Sequence, residues 1–143
     1  MTTLYKINSA AKVVLVNPKN KILLYLRDNK KNLRYSGYWD FIGGRIEYGE
    51  SAFETINREI KEELKNININ GIEKMCEVYF RRENRFNSCN VHLFKGYFDC
   101  PIESIKLTEG QRLGLFSLEQ IKDIRLPKKY KRTILETKEK WIR

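Results

Sequence analysis

Six glutamates lie in the segment from Gly43 to Leu64, although the 143-residue chain carries a net charge of +10. These glutamates are Glu47, Glu50, Glu54, Glu59, Glu62 and Glu63. The basic residues that oppose them within the segment are Arg45, Arg58 and Lys61. Because like charges repel, a fold that keeps such carboxylates close usually places a cation between them. Carboxylate oxygens are ligands that Mg²⁺ prefers, so the segment predicts a metal site.

The second half of this segment has the pattern of an amphipathic helix. Ser51 and Glu54 fit a capping box at its start. The apolar residues at helical spacing, which we expect to face the core, are Phe53, Ile56, Ile60 and Leu64. The helix is expected to end near Lys65 or Asn66, before the ININ run.

Three glutamates of this helix share one flank. At about 100° per residue, Glu59 and Glu63 fall together beside the apolar stripe, and Glu62 lies further round. An ordinary solvated helix face is the alternative interpretation of REIKEE. The glycine pair Gly43–Gly44 favours a site, because a glycine turn before a helix leaves backbone N–H groups free to bind an anion. These features together indicate metal-assisted attack of water on a phosphate.

The spacing of these residues resembles the Nudix box of the MutT-like Nudix hydrolases. The pattern is Gly44, five residues, Glu50, seven residues, and then the run 58–63, Arg-Glu-Ile-Lys-Glu-Glu. Two positions depart from the box: Ile42 stands where many members have proline, and Asn66 where a glycine closes the helix. We expect Asn66 to cap the helix in the left-handed conformation. The strand NVHLFKGYF and the phrase LTEGQRLGLFSLEQI extend the resemblance over most of the chain.

The resemblance implies an α+β class and the Nudix fold, an α/β/α sandwich around a mixed β-sheet, with residues 1–143 as a single domain. It also implies Mg²⁺ or Mn²⁺ as cofactor, with Arg58 orienting a glutamate and Glu50 supporting the loop–helix junction. The implied metal ligands are the Gly44 carbonyl, Glu59, Glu62, Glu63 and Glu109. The general base stays open among Glu62, Glu63 and Glu109. The implied reaction is in-line attack of a metal-activated water on one phosphorus of a pyrophosphate.

The substrate is expected to be a nucleotide whose diphosphate is linked to another group. Candidate substrate contacts are Arg27, Arg45 and Tyr38, with further arginines at 34, 81, 82 and 85. We predict a nucleoside triphosphate, cleaved to the monophosphate and pyrophosphate. Pro127-Lys-Lys-Tyr130 lacks the asparagine by which relatives bind oxidised guanine. The alternatives are hydrolysis of a nucleotide sugar, removal of pyrophosphate from the 5′ end of RNA, and a non-catalytic Nudix-fold nucleotide-binding module.

Periodicity and turn residues predict the remaining elements. The strands are expected in two pairs, and two helices are expected to follow them. The predicted elements are strands 11–16, 22–26, 73–81 and 89–98, a short helix over 117–124, and a last helix from Pro127 to Ile142.

Composition narrows the class of protein. The three cysteines are odd in number and widely spaced, which argues against disulfides or a zinc site and favours a cytoplasmic location. No apolar run approaches the roughly 20 residues that span a bilayer, and we expect no signal peptide and no membrane partner. Basic runs at 19–34 and 122–143 suit a polyanionic ligand, with RNA among the alternatives. The oligomeric state is open, a homodimer included.

Overall fold

The computed structural model describes residues 8–32, 34–82 and 87–142. The helices are α1 (Ala52–Glu63), α2 (Leu118–Ile121) and α3 (Lys128–Glu136). The strands are β1 (Asn8–Val16), β2 (Ile22–Leu26), β3 (Trp39–Asp40), β4 (Ile42–Arg45), β5 (Leu64–Lys65), β6 (Ile69–Phe80), β7 (Cys89–Phe98), β8 (Lys106–Leu107) and β9 (Arg112–Phe116). Short 3₁₀ turns occur at Ile102–Ser104 and Lys138–Lys140.

Seven of the strands in the described residues form one mixed sheet, in the order β3-β2-β1-β7-β6, with β4 on β1 and β9 on β2. Strand β1 pairs in parallel with β7 along its whole length, and the other pairs are antiparallel. The central position of β1 explains its nearly continuous apolar run, because both of its faces are buried. The edge strand β6 instead carries Glu73, Lys74 and Glu77, charges that discourage pairing with another chain.

Helices cover both faces of this sheet. On one face, Ile56 of α1 packs with Val13, Leu23 and Phe94. On the other face, Tyr130 and Ile134 of α3 pack with side chains that include Val14, Leu24, Phe41 and Leu93. The predicted α/β/α sandwich around a mixed sheet is therefore confirmed. The single domain over residues 1–143 stays a prediction.

Helix α1 begins where the sequence predicts, but the face that it turns towards the core differs from the predicted one. The Glu54 N–H donates to Ser51 Oγ and the Ser51 N–H to Glu54 Oε1, which completes the predicted capping box. The prediction that Phe53 faces the core is wrong, because the side chain is 50% exposed. The buried residues of α1 are Thr55, Ile56 and Glu63. The helix is thus turned by about a quarter turn, so that Glu63 and, in part, Glu59 point inwards.

The C-terminal ends of α1 and α3 differ from those predicted. Helix α1 stops at Glu63, because the next two residues form β5 and pair with β8. Asn66 does adopt the left-handed conformation, with φ of 63°, but beyond the helix end. Helix α3 ends at Glu136 rather than Ile142. The chain then turns through Lys138–Lys140, which buries Trp141 and lets its Nε1 donate to Thr137 Oγ1.

The other predicted elements are present with adjusted bounds. The hairpin of β1 and β2 is confirmed, whereas β6 begins at Ile69, four residues before the predicted start. The short helix after Ser117 is confined to α2. The three cysteines are unpaired. None of the helices in the described part of the chain is long and apolar enough to cross a membrane.

The rotation of α1 predicts unequal costs for two truncations. Ile56→Ala, at a fully buried position, is expected to lower the free energy of unfolding by about 2–5 kcal/mol. Phe53→Ala, at a half-exposed position, is expected to cost about 1 kcal/mol or less. Urea unfolding at neutral pH measures both values. A larger loss for Phe53→Ala than for Ile56→Ala would contradict the helix orientation.

Candidate active site

Gly43 and Gly44 of β4 allow the backbone of this strand to lie close to the acidic residues of α1. Gly43 has φ of +148°, and a Cβ there would lie 2.0 Å from the Ala11 carbonyl oxygen. A Cβ on Gly44 would lie 2.7 Å from the Glu59 carboxyl group. Position 43 therefore requires glycine, since a larger residue would push β4 away from β1, whereas a larger residue at position 44 would displace the Glu59 carboxyl group.

Arg58 holds the acidic residues of the site in one network. Its Nε and Nη2 donate to the two carboxylate oxygens of Glu50, at 2.7 and 3.0 Å. Its Nη1 donates to Glu59 Oε2 at 2.8 Å and, more weakly, to both oxygens of Glu62 at 3.3 Å. Nη2 also reaches the Arg45 carbonyl at 3.2 Å. Only the rigid fork of an arginine offers this many donors in one plane.

Glu50 links the loop that follows β4 to α1. The bidentate hydrogen bond from Arg58 lowers the pKa of Glu50 to about 2, helped by the Glu47 N–H and the Thr55 hydroxyl. Because Thr55 and Arg58 lie on α1 and Glu47 lies in the loop, the carboxylate ties the two elements together. The same contacts raise the pKa of Arg58, so the guanidinium stays charged.

The three candidate ligands on α1 differ in burial. The side chains of Glu59 and Glu62 are 16% and 55% exposed, respectively. Glu63 is buried, and its Oε2 has no hydrogen-bond partner among the described residues. Burial raises the pKa of Glu63 to about 9, and the neighbouring Glu59 carboxyl acts in the same direction while Lys12 opposes it. Glu63 therefore carries a proton at neutral pH unless a cation replaces it.

A pocket of about 410 Å³ opens beside Glu59 and Glu63. Carboxylates, cations and the two glycines of β4 line this pocket. Its lining includes Glu59, Glu63, Glu109, Gly43, Gly44, Lys12, Arg27, Lys30 and Arg45. The structure thus brings most of the predicted site residues together.

Glu109 reaches this pocket because the segment around it is tied to two elements. On one side, the Thr108 hydroxyl donates to the Glu62 carbonyl and the Thr108 N–H to the Glu63 carbonyl, which caps the end of α1. On the other side, the Gln111 side chain donates to the Arg27 carbonyl at 2.7 Å. Thr108 and Gln111 position Glu109, and the sequence analysis missed both. The signal was present in the phrase TEGQ, whose polar residues flank the glutamate.

A buried charge network behind the pocket was also missed. Lys12 Nζ donates to Asp40 Oδ2 at 3.1 Å and to the Phe41 carbonyl at 3.2 Å, and Arg27 Nη1 shares the same Asp40 oxygen at 3.1 Å. Burial is the largest single influence and opposes the charge of Lys12, but Asp40, Tyr25 and Glu63 together outweigh it, and the pKa of Lys12 is raised. The signal in the sequence was a single lysine inside the apolar run AAKVVLV.

Other candidates lie apart from this pocket. Glu62 is not among its lining residues, and Tyr38 lines a different cavity, beside Arg82. The side chains of Arg34 and Arg81 are exposed. Arg85 lies outside the described residues.

The residues of the pocket fit a divalent cation by their chemistry. The donors are carboxylate oxygens and the backbone at Gly44, and Glu63 offers a buried oxygen that lacks a partner. Within the described ranges, no three acidic, histidine or cysteine side chains are grouped as they would be around a bound ion. Arg58 is a cause of this arrangement, because its Nη1 engages Glu59 and Glu62.

The sequence from residue 6 to residue 136 matches the NUDIX domain family. The chain belongs to this family. The predicted enzyme class, a Nudix pyrophosphohydrolase, is confirmed by this assignment. Comparison of the sequence with curated proteins found no significant match.

Solved structures of Nudix proteins share the fold. The MutT protein from Methanosarcina mazei Go1 is 23% identical, with a TM-score of 0.75 over 93% of this chain and 94% of that chain. The NUDIX domain of Shewanella oneidensis NrtR, solved with ADP-ribose, is 18% identical, with a TM-score of 0.73 over 94% and 88%. A MutT NUDIX hydrolase from Burkholderia pseudomallei is 22% identical, with a TM-score of 0.70 over 92% and 97%.

The hydrogen bonds between Arg58 and Glu50 predict how the stability of the fold depends on pH in acid. Because the pKa of Glu50 is lowered in the folded state, its contribution to stability is present above about pH 4.5 and is lost as the pH falls towards 2. Glu50→Gln should therefore reduce the loss of stability on acidification, measured by urea unfolding in EDTA. The control is the same substitution in an Arg58→Gln background, where it should change the acid dependence little. An equal change in both backgrounds would contradict the pairing.

Proposed function

We propose that this Nudix protein hydrolyses nucleoside triphosphates to the monophosphate and pyrophosphate, with Mg²⁺ or Mn²⁺ as cofactor. The observation that carries the proposal is that one pocket is lined both by Glu59, Glu63 and Glu109 and by Arg27 and Arg45. A triphosphate needs cations around its oxygens, and a divalent ion can bridge those oxygens to carboxylates. Acidic and basic residues in one cavity are therefore what such a substrate requires.

In this proposal the acidic residues hold the ion. Glu59, Glu63 and Gly44 line the pocket, and Glu62 would join them as a ligand if its weak contacts with Arg58 were given up. Arg58 keeps its bidentate hydrogen bonds to Glu50, so the loop between β4 and α1 stays in place. A divalent ion bound there supplies Lewis-acid polarisation of the phosphate oxygens.

The remaining residues bind the substrate and activate water. Arg27 and Arg45 bind phosphate oxygens, and Asp40 fixes Arg27 and Lys12 behind the pocket. Among the three candidate bases we favour Glu109, because it both lines the pocket and is exposed to water. From there its carboxylate takes a proton from the attacking water.

We also propose a cytoplasmic location. The unpaired thiols of Cys76, Cys89 and Cys100 suit a reducing compartment.

The metal role predicts a stabilisation that can be measured without turnover. Mg²⁺ should raise the melting temperature of the wild-type protein above its value in EDTA. A ligand that binds only the folded state adds about 2.7 kcal/mol at a hundredfold excess over its dissociation constant. Glu59→Gln should lose most of the shift, whereas the control Glu103→Gln, on an exposed 3₁₀ turn, should keep it. Equal shifts in the two variants would exclude the proposed ligands.

The proposed reaction predicts which substrates are turned over. Nucleoside triphosphates, nucleotide sugars and dinucleotides are compared with Mg²⁺ and with Mn²⁺, and the products are separated chromatographically. Glu62→Gln and Glu109→Gln should each lower kcat/KM by about 10²-fold or more, the scale of a lost catalytic group. Water labelled with ¹⁸O identifies the phosphorus that is attacked. Full activity of Glu62→Gln, or no turnover of any substrate, would count against the assignment.

A further inference from the structure

A cavity of about 730 Å³ adjoins the pocket of Glu59 and Glu63, which we call the catalytic pocket. We call the adjoining space the loop cavity, because the loop between β4 and α1 forms one of its walls. The starts of β1 and β7 and the ends of β4 and β6 form the rest. Its lining includes Asn8, Arg45, Glu47, Tyr48, Tyr79 and Asn90. Small-molecule sites usually have volumes of about 300–1,000 Å³, so the loop cavity has the size of a ligand site.

Arg45 connects the two cavities. Of the residues that the structure describes, it alone lines both. Its Nη2 donates to Asn8 Oδ1 at 2.6 Å, which holds the guanidinium at the edge of the loop cavity. Its backbone is fixed as well, because the carbonyl accepts from Arg58 Nη2 at 3.2 Å. A molecule whose phosphates contact Arg45 in the catalytic pocket can therefore extend its other end into the loop cavity.

Backbone hydrogen bonds hold the loop that forms one wall. The Ile46 N–H donates to the Ser9 carbonyl at 2.9 Å, which continues the pairing of β4 with β1 past the end of the strand. The Glu50 N–H donates to the Glu47 carbonyl at 2.9 Å and closes a β-turn with Tyr48 at one of its central positions. The loop therefore presents the ring of Tyr48 from a fixed backbone.

Two exposed tyrosines line the loop cavity. Tyr48 is 99% exposed and Tyr79 is 39% exposed. Within the described ranges, Phe53 is the other large apolar side chain that is left exposed. A single exposed ring on a protein surface is ordinary, but two rings at one cavity offer a surface on which a flat aromatic group can stack. Stacking would also remove part of each ring from water.

An amide beside the rings supplies hydrogen-bonding groups. Asn90 Nδ2 donates to Glu77 Oε1 at 2.7 Å, and Lys74 Nζ donates to the other oxygen of the same carboxylate at 2.6 Å. The amide of Asn90 therefore has one orientation, in which its oxygen can accept from an N–H group of a ligand. Stacking on aromatic rings together with hydrogen bonds to the edge of the ring system is how proteins bind an unpaired base.

The charges of the two cavities indicate which part of a nucleotide each one takes. The carboxylates of Glu47 and Glu50 line the loop cavity, where Arg45 is the lining cation. In the catalytic pocket Lys12 and Arg27 join Arg45. Phosphate oxygens are therefore favoured in the catalytic pocket, and the uncharged end of the nucleotide is favoured in the loop cavity. The tyrosines distinguish the base from the ribose, because only the base has a flat aromatic face.

We propose that the loop cavity binds the base of the substrate nucleotide, which stacks on Tyr48 and Tyr79 while its phosphates lie in the catalytic pocket. The identity of the substrate as a nucleotide rests on the proposed function. The inference adds the two residues that select a nucleotide over a bare polyphosphate. Tyr48 and Tyr79 are thus specificity-determining residues and do not contact the phosphorus that is attacked.

Binding is tested without turnover, by isothermal titration calorimetry in Mg²⁺ with the α,β-methylene analogues of ATP and CTP. Tyr48→Leu and Tyr79→Leu should each weaken binding about tenfold, the scale of a lost stacking contact. The control Phe53→Leu removes an exposed ring of α1 that lines neither cavity and should keep the wild-type affinity. Wild-type affinity in both tyrosine variants, or no binding of either analogue to the wild-type protein, would overturn the proposal.

Ligands without a base separate the rings from the phosphate site. The two tyrosine variants should bind tripolyphosphate and ribose 5-phosphate as the wild-type protein does. Arg45→Gln should weaken the binding of tripolyphosphate and of the nucleotide analogues alike, because Arg45 lines both cavities. If the tyrosine variants lose tripolyphosphate as well, the site as a whole is disturbed and the proposal fails. An equal loss of ribose 5-phosphate would place the sugar on the rings and also overturn it.

A rival position for the base is the cavity that Tyr38 lines beside Arg82. Tyr38→Leu tests this position with the same nucleotide analogues. A tenfold loss in Tyr38→Leu, together with wild-type affinity in Tyr48→Leu and Tyr79→Leu, would place the base in that cavity and refute the assignment to the loop cavity.

Turnover separates this inference from the proposed function. Tyr48→Leu and Tyr79→Leu should raise KM for the nucleoside triphosphate about tenfold and leave kcat near the wild-type value, because stacking is the same in the ground state and the transition state. A lower kcat with unchanged KM would contradict the inference. If the wild-type protein hydrolyses no nucleoside triphosphate, the proposed function fails, whereas binding of the analogues still decides the role of the loop cavity.

Discussion

The site depends on the burial of carboxylates on the inward flank of α1. Glu59 lies against Gly44 of β4 and Glu63 is buried, and an unpaired charge in such surroundings is costly. Arg58 stabilises the carboxylates of Glu50 and Glu59 by charge-assisted hydrogen bonds, whereas burial raises the pKa of Glu63 and so favours its protonated form. Two different solutions to the same electrostatic problem thus stand side by side. The divalent cation proposed above would provide a third, because it could replace the proton and part of the contribution of Arg58.

The need to stabilise these carboxylates explains why α1 and the loop before it behave as one unit. The fork of Arg58 reaches Glu50 in the loop and Glu59 on the helix, so neither element can move without breaking a charge-assisted hydrogen bond. Gly44 contacts the same Glu59 carboxyl group from the strand side. The spacing of the motif is therefore a packing requirement as much as a list of ligands.

Local signals predicted much of this arrangement, and long-range contacts account for the rest. The capping box of Ser51 and the spacing of Gly44 and Glu59 depend on neighbours in the chain, and the structure places them as those signals indicate. The inward rotation of α1 depends on the sheet that it covers, so the apolar stripe misplaced Phe53. The pair of Lys12 with Asp40 joins two strands that are distant in the sequence, and periodicity cannot reveal such a contact.

The same distinction applies to Glu109 and Tyr38. Glu109 is exposed, yet Thr108 and Gln111 attach its segment to the end of α1 and to Arg27 after β2. Its position at the pocket therefore requires both elements to be folded. Tyr38 precedes the strand that leads to the glycine turn, but its ring packs under Arg125 from beyond α2. Chemistry at this site is consequently a property of the assembled sandwich, because α1, β1, β2, β4 and the segment of Glu109 all contribute to the lining of the pocket.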